Sequence, residues 1–379
     1  MESIELRDVF RRFAPAYVAG RGEEMLPSQR KALTDIAACR TEALGGRRYR
    51  CDGCGADFWH YHGCRNRACP TCHARRMVEW IAARQAQLLG CEYFHLVATV
   101  PAELRKHFLA DQKRMYTLLM KSVAECLMEL AADPRPLGGR PAIMATLHTW
   151  SRDLNYHPHV HLLVSAGGLS PDGERWIEPR YRRWLVPIRV LSARIRKRFR
   201  KKMLRLSPHV AHQLPAKLWR QGWNVYCKPC GAGPEAVVGY LGRYVFRTAI
   251  TNGRIKSMDS THVSIQVRGR KKGDRPKVLR LRGEEFLRRF VMHVLPRGFQ
   301  RVRYYGLWHH SRAEDQKRVA YLMRMKNKRR SQDKPTRDSG ETFADLLAAE
   351  GWGAQQDFGI NEEGQADKTP RCPCCGGSD

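Results

Sequence analysis

The sequence predicts an α+β fold: a mainly antiparallel sheet covered by helices, with a cysteine-rich module in front of it. Three observations lead there. Apolar residues switch between strand alternation and helical spacing along the chain. The segments so defined run in the order β-α-β-β-α-β-α, that of a ferredoxin-like or RRM-like sandwich. Cys-x-x-Cys pairs gather in the first ~90 residues, as they do in zinc modules.

Taken in order, Ile4 to Ala14 and Ser28 to Ala43 read as helices, the second capped by Ser28 after Pro27 and ended by Gly45-Gly46. The cysteine module follows, and an Arg-bearing helix from Ala74 to Leu89 leads away from it. Phe94, Leu96, Ala98 and Val100 alternate as a strand that stops at Pro101. Ala102 to Ala132 carries Leu104, Phe108, Met115, Leu119, Val123 and Leu127 at helical spacing. Ile143 to Trp150 and His159 to Ser165 are strands joined by the polar turn Ser151 to Asn155. In the helix Arg194 to Arg205, 8 of 12 residues are Lys or Arg, while Ile195, Phe199 and Met203 share one apolar face. Trp223 to Cys227 is a short strand, and Pro234-Glu235 opens a helix to about Thr248. A basic hairpin runs from His262 to Arg268 and back from Lys277 to Leu281, followed by a helix from Glu284 to Val294. After about Met325 the composition becomes that of a linker and tail. Four regions result: a module over residues 1–90, a catalytic-type core over 91–260, a basic extension over 261–325 and a tail over 326–379.

The 379 residues include 68 Lys+Arg against 37 Asp+Glu, a formal charge of +31. A folded chain so cationic expects an anionic partner, of which nucleic acid is the foremost, and a small-molecule metabolic enzyme is disfavoured. No apolar run reaches the ~18 residues that span a bilayer and no secretory signal pattern opens the chain, so no membrane partner and a cytoplasmic location are expected. Thirteen cysteines in so large a chain read as metal ligands rather than disulfides.

The sharpest constellation is His157-Pro-His159-Val-His161. Residues two apart on a strand face the same side roughly 7 Å apart, so His159 and His161 can converge on one metal. His157 shares their parity, but a straight strand does not bring all three to one ion, and His148 on the neighbouring strand is the other candidate for third ligand. Downstream, Tyr240-Leu-Gly-Arg-Tyr244 places two phenols one helical turn apart, with Arg243 and Arg247 beside them to hold phosphates. Cys51-x2-Cys54 and Cys69-x2-Cys72, 14 residues apart, match the spacing of a four-thiolate structural zinc site, with His60, His62, Cys64 and His73 as surplus candidates. Cys39, Cys91 and Cys126 stand apart and read as buried small residues. Cys227-x2-Cys230 is a weaker pair, and Cys372-Pro-Cys374-Cys375-Gly-Gly is half a zinc knuckle lacking partners. Arg196, Arg200 and Lys201 on the basic helix, and Lys271 and Lys272 in the hairpin loop, are candidate phosphate contacts.

These motifs, in this order, resemble the two-tyrosine rolling-circle insertion-sequence transposases of the HUH endonuclease superfamily. The likeness covers about residues 1–325 and includes Cys64-Arg-Asn-Arg-x-Cys69-Pro-x-Cys72 in the module. It implies that His159 and His161 are the HUH pair binding Mg²⁺ or Mn²⁺, and that Tyr240 and Tyr244 are nucleophiles forming a 5′-phosphotyrosine with single-stranded DNA at insertion-sequence ends. It implies a nucleoid-associated bacterial enzyme and leaves homo-oligomerisation open. Val245-Phe246 departs from the family's polar Thr-His after the second Tyr, and Cys230 from its Lys-Pro-Pro stretch. A plasmid or phage replication initiator would use the same metal and tyrosine parts, while a zinc-dependent nucleic-acid-binding regulator would need neither. No GxxxxGK[ST] loop supports a fused ATPase.

Overall fold

The structure, a computed structural model, describes residues 4–73, 80, 88–181, 185–230, 237, 244–245, 247–269, 274–331 and 372–375. Tyr240, Arg243, Lys271 and Lys272 lie outside the described residues, as do most of the expected helices Ala74 to Leu89 and Pro234 to Thr248.

Helices α1 (Leu6–Arg21) and α2 (Pro27–Ala37) open the chain. Pro27 rather than Ser28 starts α2, because a proline at the first helical position lacks only an amide that has no partner there. The hairpin β1 (Gly46–Arg50) and β2 (Asp57–Tyr61) forms the body of the cysteine module.

The central sheet contains β3 (Tyr93–Thr99), β4 (Ala142–Trp150), β5 (Tyr156–Ser165) and β8 (Val225–Pro229). A short ladder of β6 (Gly168–Leu169) and β7 (Trp176–Ile177) stands beside it. The expected helix Ala102 to Ala132 divides at Asp111 into α3 (Arg105–Ala110) and α4 (Gln112–Ala131), Asp111 accepting from the Arg114 amide as the cap of α4. The connection from β5 to β8 contains α5 (Ile188–Leu206), α6 (Pro208–Gln213) and α7 (Ala216–Arg220). Every pairing is antiparallel, in the spatial order β4-β5-β3-β8. A fifth strand, β12 (Val302–Gly306), adds along β4.

Strand alternation assigns the two faces. Phe94, Leu96 and Ala98, Ile143, Ala145 and Leu147, and Val160, Leu162 and Val164 form one core with α4 and α5. The intervening residues point the other way: Tyr93, Met144 and Leu163 pack with Val245, Leu307 and Val319. That second face bears His95, His148, His159 and His161.

The basic hairpin forms as β10 (His262–Val267) and β11 (Lys277–Arg282), joined by β9 (Ile255–Met258) in a separate three-stranded sheet. With α8 (Gly283–Val291) it packs against α1 and α2, where Phe10 meets Phe290 edge-on at 4.9 Å between centroids. Gly283 permits this close approach, since a Cβ there would lie 2.2 Å from Phe13. Helix α9 (Ala313–Ser331) extends past the expected start of the tail and seats Val319 and Met323 on the second sheet face. Among the described residues, no helix is long and apolar enough to cross a membrane.

Candidate metal centres and nucleic-acid groove

Two strand rules gather the histidines. His159 and His161 lie two apart on β5, and His148 stands directly across from His159 on β4, a cross-strand distance that lets long side chains touch. A bulge between His148 and Trp150 ends the regular register beside them. One ring nitrogen from each of the three lies within 4.8 Å of those of the other two. His157 does not join them; its Nδ1 accepts from Nη2 of Arg105 at 2.8 Å.

Hydrogen bonds assign several tautomers. A carbonyl can only accept, so His159 Nδ1 donates to His157 O at 2.7 Å and keeps its lone pair on Nε2. His148 Nε2 donates to Tyr244 O at 2.5 Å, leaving Nδ1 unprotonated. His161 Nδ1 lies 2.9 Å from Nε2 of His95, a neighbour that the sequence reading passed over as one polar residue in an apolar strand. Burial pushes the His159 imidazole down to about 4 and the His95 imidazole to about 3, and it holds His148 and His161 well below the usual histidine range. The cluster is neutral at pH 7, with lone pairs available to a cation.

Tyr244 and Val245 have π-helical geometry, a distortion common at functional sites. Its ring lies 4.4 Å from that of His161 and 4.6 Å from that of His95, centroid to centroid. Two side chains grip this turn by its backbone: His148 at the Tyr244 carbonyl, and Arg301 Nη2 at the Val245 carbonyl, 2.5 Å away. Arg301 is sunk so deeply that burial lowers its guanidinium pKa to about 9, and it lies over the Trp150 ring at 5.5 Å.

Outside the histidines runs an open groove of about 1350 Å³. Arg152, Arg247, Arg254, Arg268, Arg275 and Lys277 line it, together with His157, Asp153 and Asp274. The groove takes the base of the expected basic loop and is strongly cationic, suited to a phosphate backbone.

The basic helix lies elsewhere. Because α5 covers the first sheet face, Arg196, Arg200 and Lys201 are separated from the histidines by the sheet itself. Much of its charge is also committed. Arg196 donates to the carbonyls of Arg220 and Gln221, Arg198 and Lys202 pair with Glu125 and Glu129, and Arg200 lies 5.7 Å over Trp219. These candidate phosphate contacts therefore stand on the sheet face opposite the metal strand.

The expected zinc quartet is also redistributed. Cys69 and Cys72 gather with Cys39 and Cys64, whereas Cys51 and Cys54 gather with Cys372 and Cys375. The Cys51 pair sits on the β1–β2 hairpin, and the Cys69 pair follows it where a helix opens at Pro70 against α2, so spacing alone paired the wrong halves. Cys39, expected to be a buried apolar residue, stands 3.5 Å from Cys72 through its Sγ. Hydrogen bonds from Cys39, Cys64 and Cys69 push the Cys72 thiol far down, and the same contacts hold the Cys64 and Cys69 thiols up. His60, His62 and His73 enter neither group among the described residues. Cys227 packs towards the first sheet face and Cys230 towards the second, so this pair does not converge.

Comparison with known proteins adds an independent line. Residues 142–317 match the family described as "Putative transposase", and residues 9–100 match the "Transposase zinc-binding domain". The chain is 38% identical over 320 residues to the "Putative transposase y4qJ" of Sinorhizobium fredii, covering 80% of this chain and 79% of that one. It is 28% identical over 310 residues to the transposase for insertion sequence element IS801 of Pseudomonas savastanoi pv. phaseolicola, covering 73% and 69%. No solved structure matches.

Proposed function

The chain belongs to the IS91-type family of insertion-sequence transposases, and from that premise we propose that it cleaves and rejoins single-stranded DNA through a covalent phosphotyrosine. The observation that carries this reading is the Tyr244 ring, tilted against that of His161 at 4.4 Å between centroids, beside three converging neutral imidazoles and at the edge of a cationic groove. The strand order β4-β5-β3-β8, with its β-α-β-β-α-β connection, supports a ferredoxin-like HUH core.

Three imidazoles fit a divalent cation, and their donor chemistry suits Mn²⁺ better than Mg²⁺, which prefers an oxygen shell. Held by His148, His159 and His161, such an ion would polarise the scissile phosphate and offset its developing charge. The chain's residues do the rest. Arg247 and its cationic neighbours position the strand. The Tyr244 phenol loses its proton, its oxygen forms a bond to phosphorus, and the P–O3′ bond breaks. A 5′-phosphotyrosine and a protonated 3′-hydroxyl result. Attack of a 3′-hydroxyl on that linkage regenerates the phenol and rejoins the strand, so no nucleotide triphosphate is consumed. Tyr240 is the second nucleophile in this scheme, able to hold one end while Tyr244 acts on another.

The test is incubation with single-stranded oligonucleotides from the element's own ends and Mn²⁺, followed by denaturing electrophoresis. Wild type gives a protein–DNA adduct, and Tyr240→Phe with Tyr244→Phe gives none. Adduct persisting in that double variant would remove the tyrosine assignment.

A further inference from the structure

We propose that Cys51, Cys54, Cys372 and Cys375 form a second structural zinc site, distinct from the one that Cys39, Cys64, Cys69 and Cys72 complete, and that it fastens the C-terminal end of the chain to the N-terminal hairpin. The zinc-binding-domain match stops at residue 100 and so contains only half of these ligands.

The distances are those of a metal tetrahedron. A Zn–S bond of about 2.3 Å places neighbouring sulfurs roughly 3.8 Å apart. Cys51 Sγ lies 3.5 Å from Cys375 Sγ, Cys54 Sγ lies 3.6 Å from Cys372 Sγ, and all four sulfurs fall within 4.8 Å of one another. Disulfides would need about 2.05 Å. The Cys39 group shows the same spacing, with sulfur pairs at 3.5 and 3.8 Å.

The two halves share one local design. Each is Cys-x-x-Cys-Gly: Cys51-Asp-Gly-Cys54-Gly55 on the hairpin and Cys372-Pro-Cys374-Cys375-Gly376 at the tail. Gly55 holds φ +70°, a conformation open to glycine, as the hairpin knuckle turns back with its amide on Cys51 O at 2.8 Å. In the tail, the Cys374 amide points at Cys372 Sγ from 3.4 Å, the N–H···S contact that steadies a thiolate ligand. Cys51 and Cys372 are each 3% exposed and pack with Phe58, so a small apolar cluster supports the site from below. Cys374 stays exposed and outside the quartet, which is selective for the Cys-x-x-Cys positions.

Four thiolates leave no open position, so the site is structural and not catalytic. It joins residues 324 positions apart in sequence, and metal binding there makes the tail an integral part of the N-terminal cysteine module.

Cobalt substitution of the full-length protein tests this, because thiolate-to-Co²⁺ charge transfer counts Cys sites and is silent for a histidine site. Cys372→Ser with Cys375→Ser should halve the wild-type band. Cys51→Ser with Cys54→Ser should halve it equally, and all four changes together should lower it no further, since both pairs serve one ion. Cys375→His should keep the full cobalt content while moving the visible bands to shorter wavelength, which separates ligand exchange from misfolding. An undiminished band in the tail double variant, a quadruple variant lower than either double, or an unshifted Cys375→His spectrum would overturn the site.

Discussion

His148 donates from Nε2 to the main-chain carbonyl of Tyr244 at 2.5 Å, tying the imidazole cluster to the turn that presents the phenol. One side chain therefore has two duties, as candidate ligand and as clamp. His148→Ala should lower Mn²⁺ affinity and adduct formation by on the order of 100-fold or more. Arg301→Lys, which loosens the adjacent Val245 clamp and the contact with Trp150 but removes no candidate ligand, should lower adduct formation with Mn²⁺ affinity nearly unchanged. Titration calorimetry with Mn²⁺ beside the oligonucleotide assay separates the two effects, and equal affinity losses in both variants would refute the division of labour.

His95 is a positioning residue, fixing His161 through a 2.9 Å ring-to-ring hydrogen bond. Partners that orient a ligating imidazole typically contribute 10- to 100-fold in metal affinity. His95→Phe should thus weaken Mn²⁺ binding by about that factor while the zinc content stays at the wild-type level. His95→Gln, which can still bond Nδ1 of His161, should recover much of the loss. Failure of Gln to exceed Phe would show that His95 acts only by packing.

The donor set also predicts a metal preference. With three imidazoles and no carboxylate in the cluster among the described residues, Mn²⁺ should support adduct formation at a lower concentration than Mg²⁺, by about tenfold or more. Metal titrations of initial rate check this, and a lower half-maximal concentration for Mg²⁺ would point to oxygen ligands outside the three histidines.

What could be read from the sequence was whatever local periodicity encodes. The alternation of His157, His159 and His161 placed them on a strand, and the Ile195-Phe199-Met203 seam placed a basic helix on a core. Long-range relationships were not encoded that way. His95 has no neighbouring histidine in sequence, and it becomes important only because β3 pairs with β5. The 14-residue spacing of the two N-terminal Cys pairs suggested one site, while the true partner of the first pair lies at the other end of the chain. Which sheet face α5 covers depends on the handedness of its connections, so its distance from the histidines was not legible in the sequence. β12 has no such signature, because Val302 to Tyr305 are four half-buried residues in a row, Arg303 among them, with no alternation.

Groove and back-face cations can be told apart by salt. Each phosphate contact to a single strand contributes about 0.7 to the slope of log affinity against log salt. Lys277 lines the groove, whereas Lys201 sits exposed on α5 behind the sheet. Lys277→Ala should weaken oligonucleotide binding and reduce the slope by about 0.7, and Lys201→Ala should change neither. Fluorescence anisotropy across a salt series measures both, and a reduced slope for Lys201→Ala would place DNA on the α5 face.

The turn between the two metal strands predicts a pH dependence. Leu154 holds a left-handed φ of 61°, strained for a branched side chain, and it is fully buried. His293 steadies it, donating from Nε2 to Leu154 O at 3.0 Å while Nδ1 accepts from Thr149 Oγ1 at 3.2 Å. Both ring nitrogens are occupied by a neutral imidazole, and burial pushes its pKa from 6.5 down to about 4. Above pH 6.5 the folded and unfolded chains carry the same neutral ring, so His293 imposes no pH dependence there. Between pH 6.5 and 4 the unfolded chain takes up a proton that the folded chain refuses, and stability falls by up to about 1.4 kcal/mol per pH unit. His293→Gln can keep the bond to Leu154 but cannot titrate. Melting curves from pH 7.5 to 4.5 should therefore fall less steeply below pH 6.5 in His293→Gln than in wild type, and parallel curves would show that the proton is taken up elsewhere.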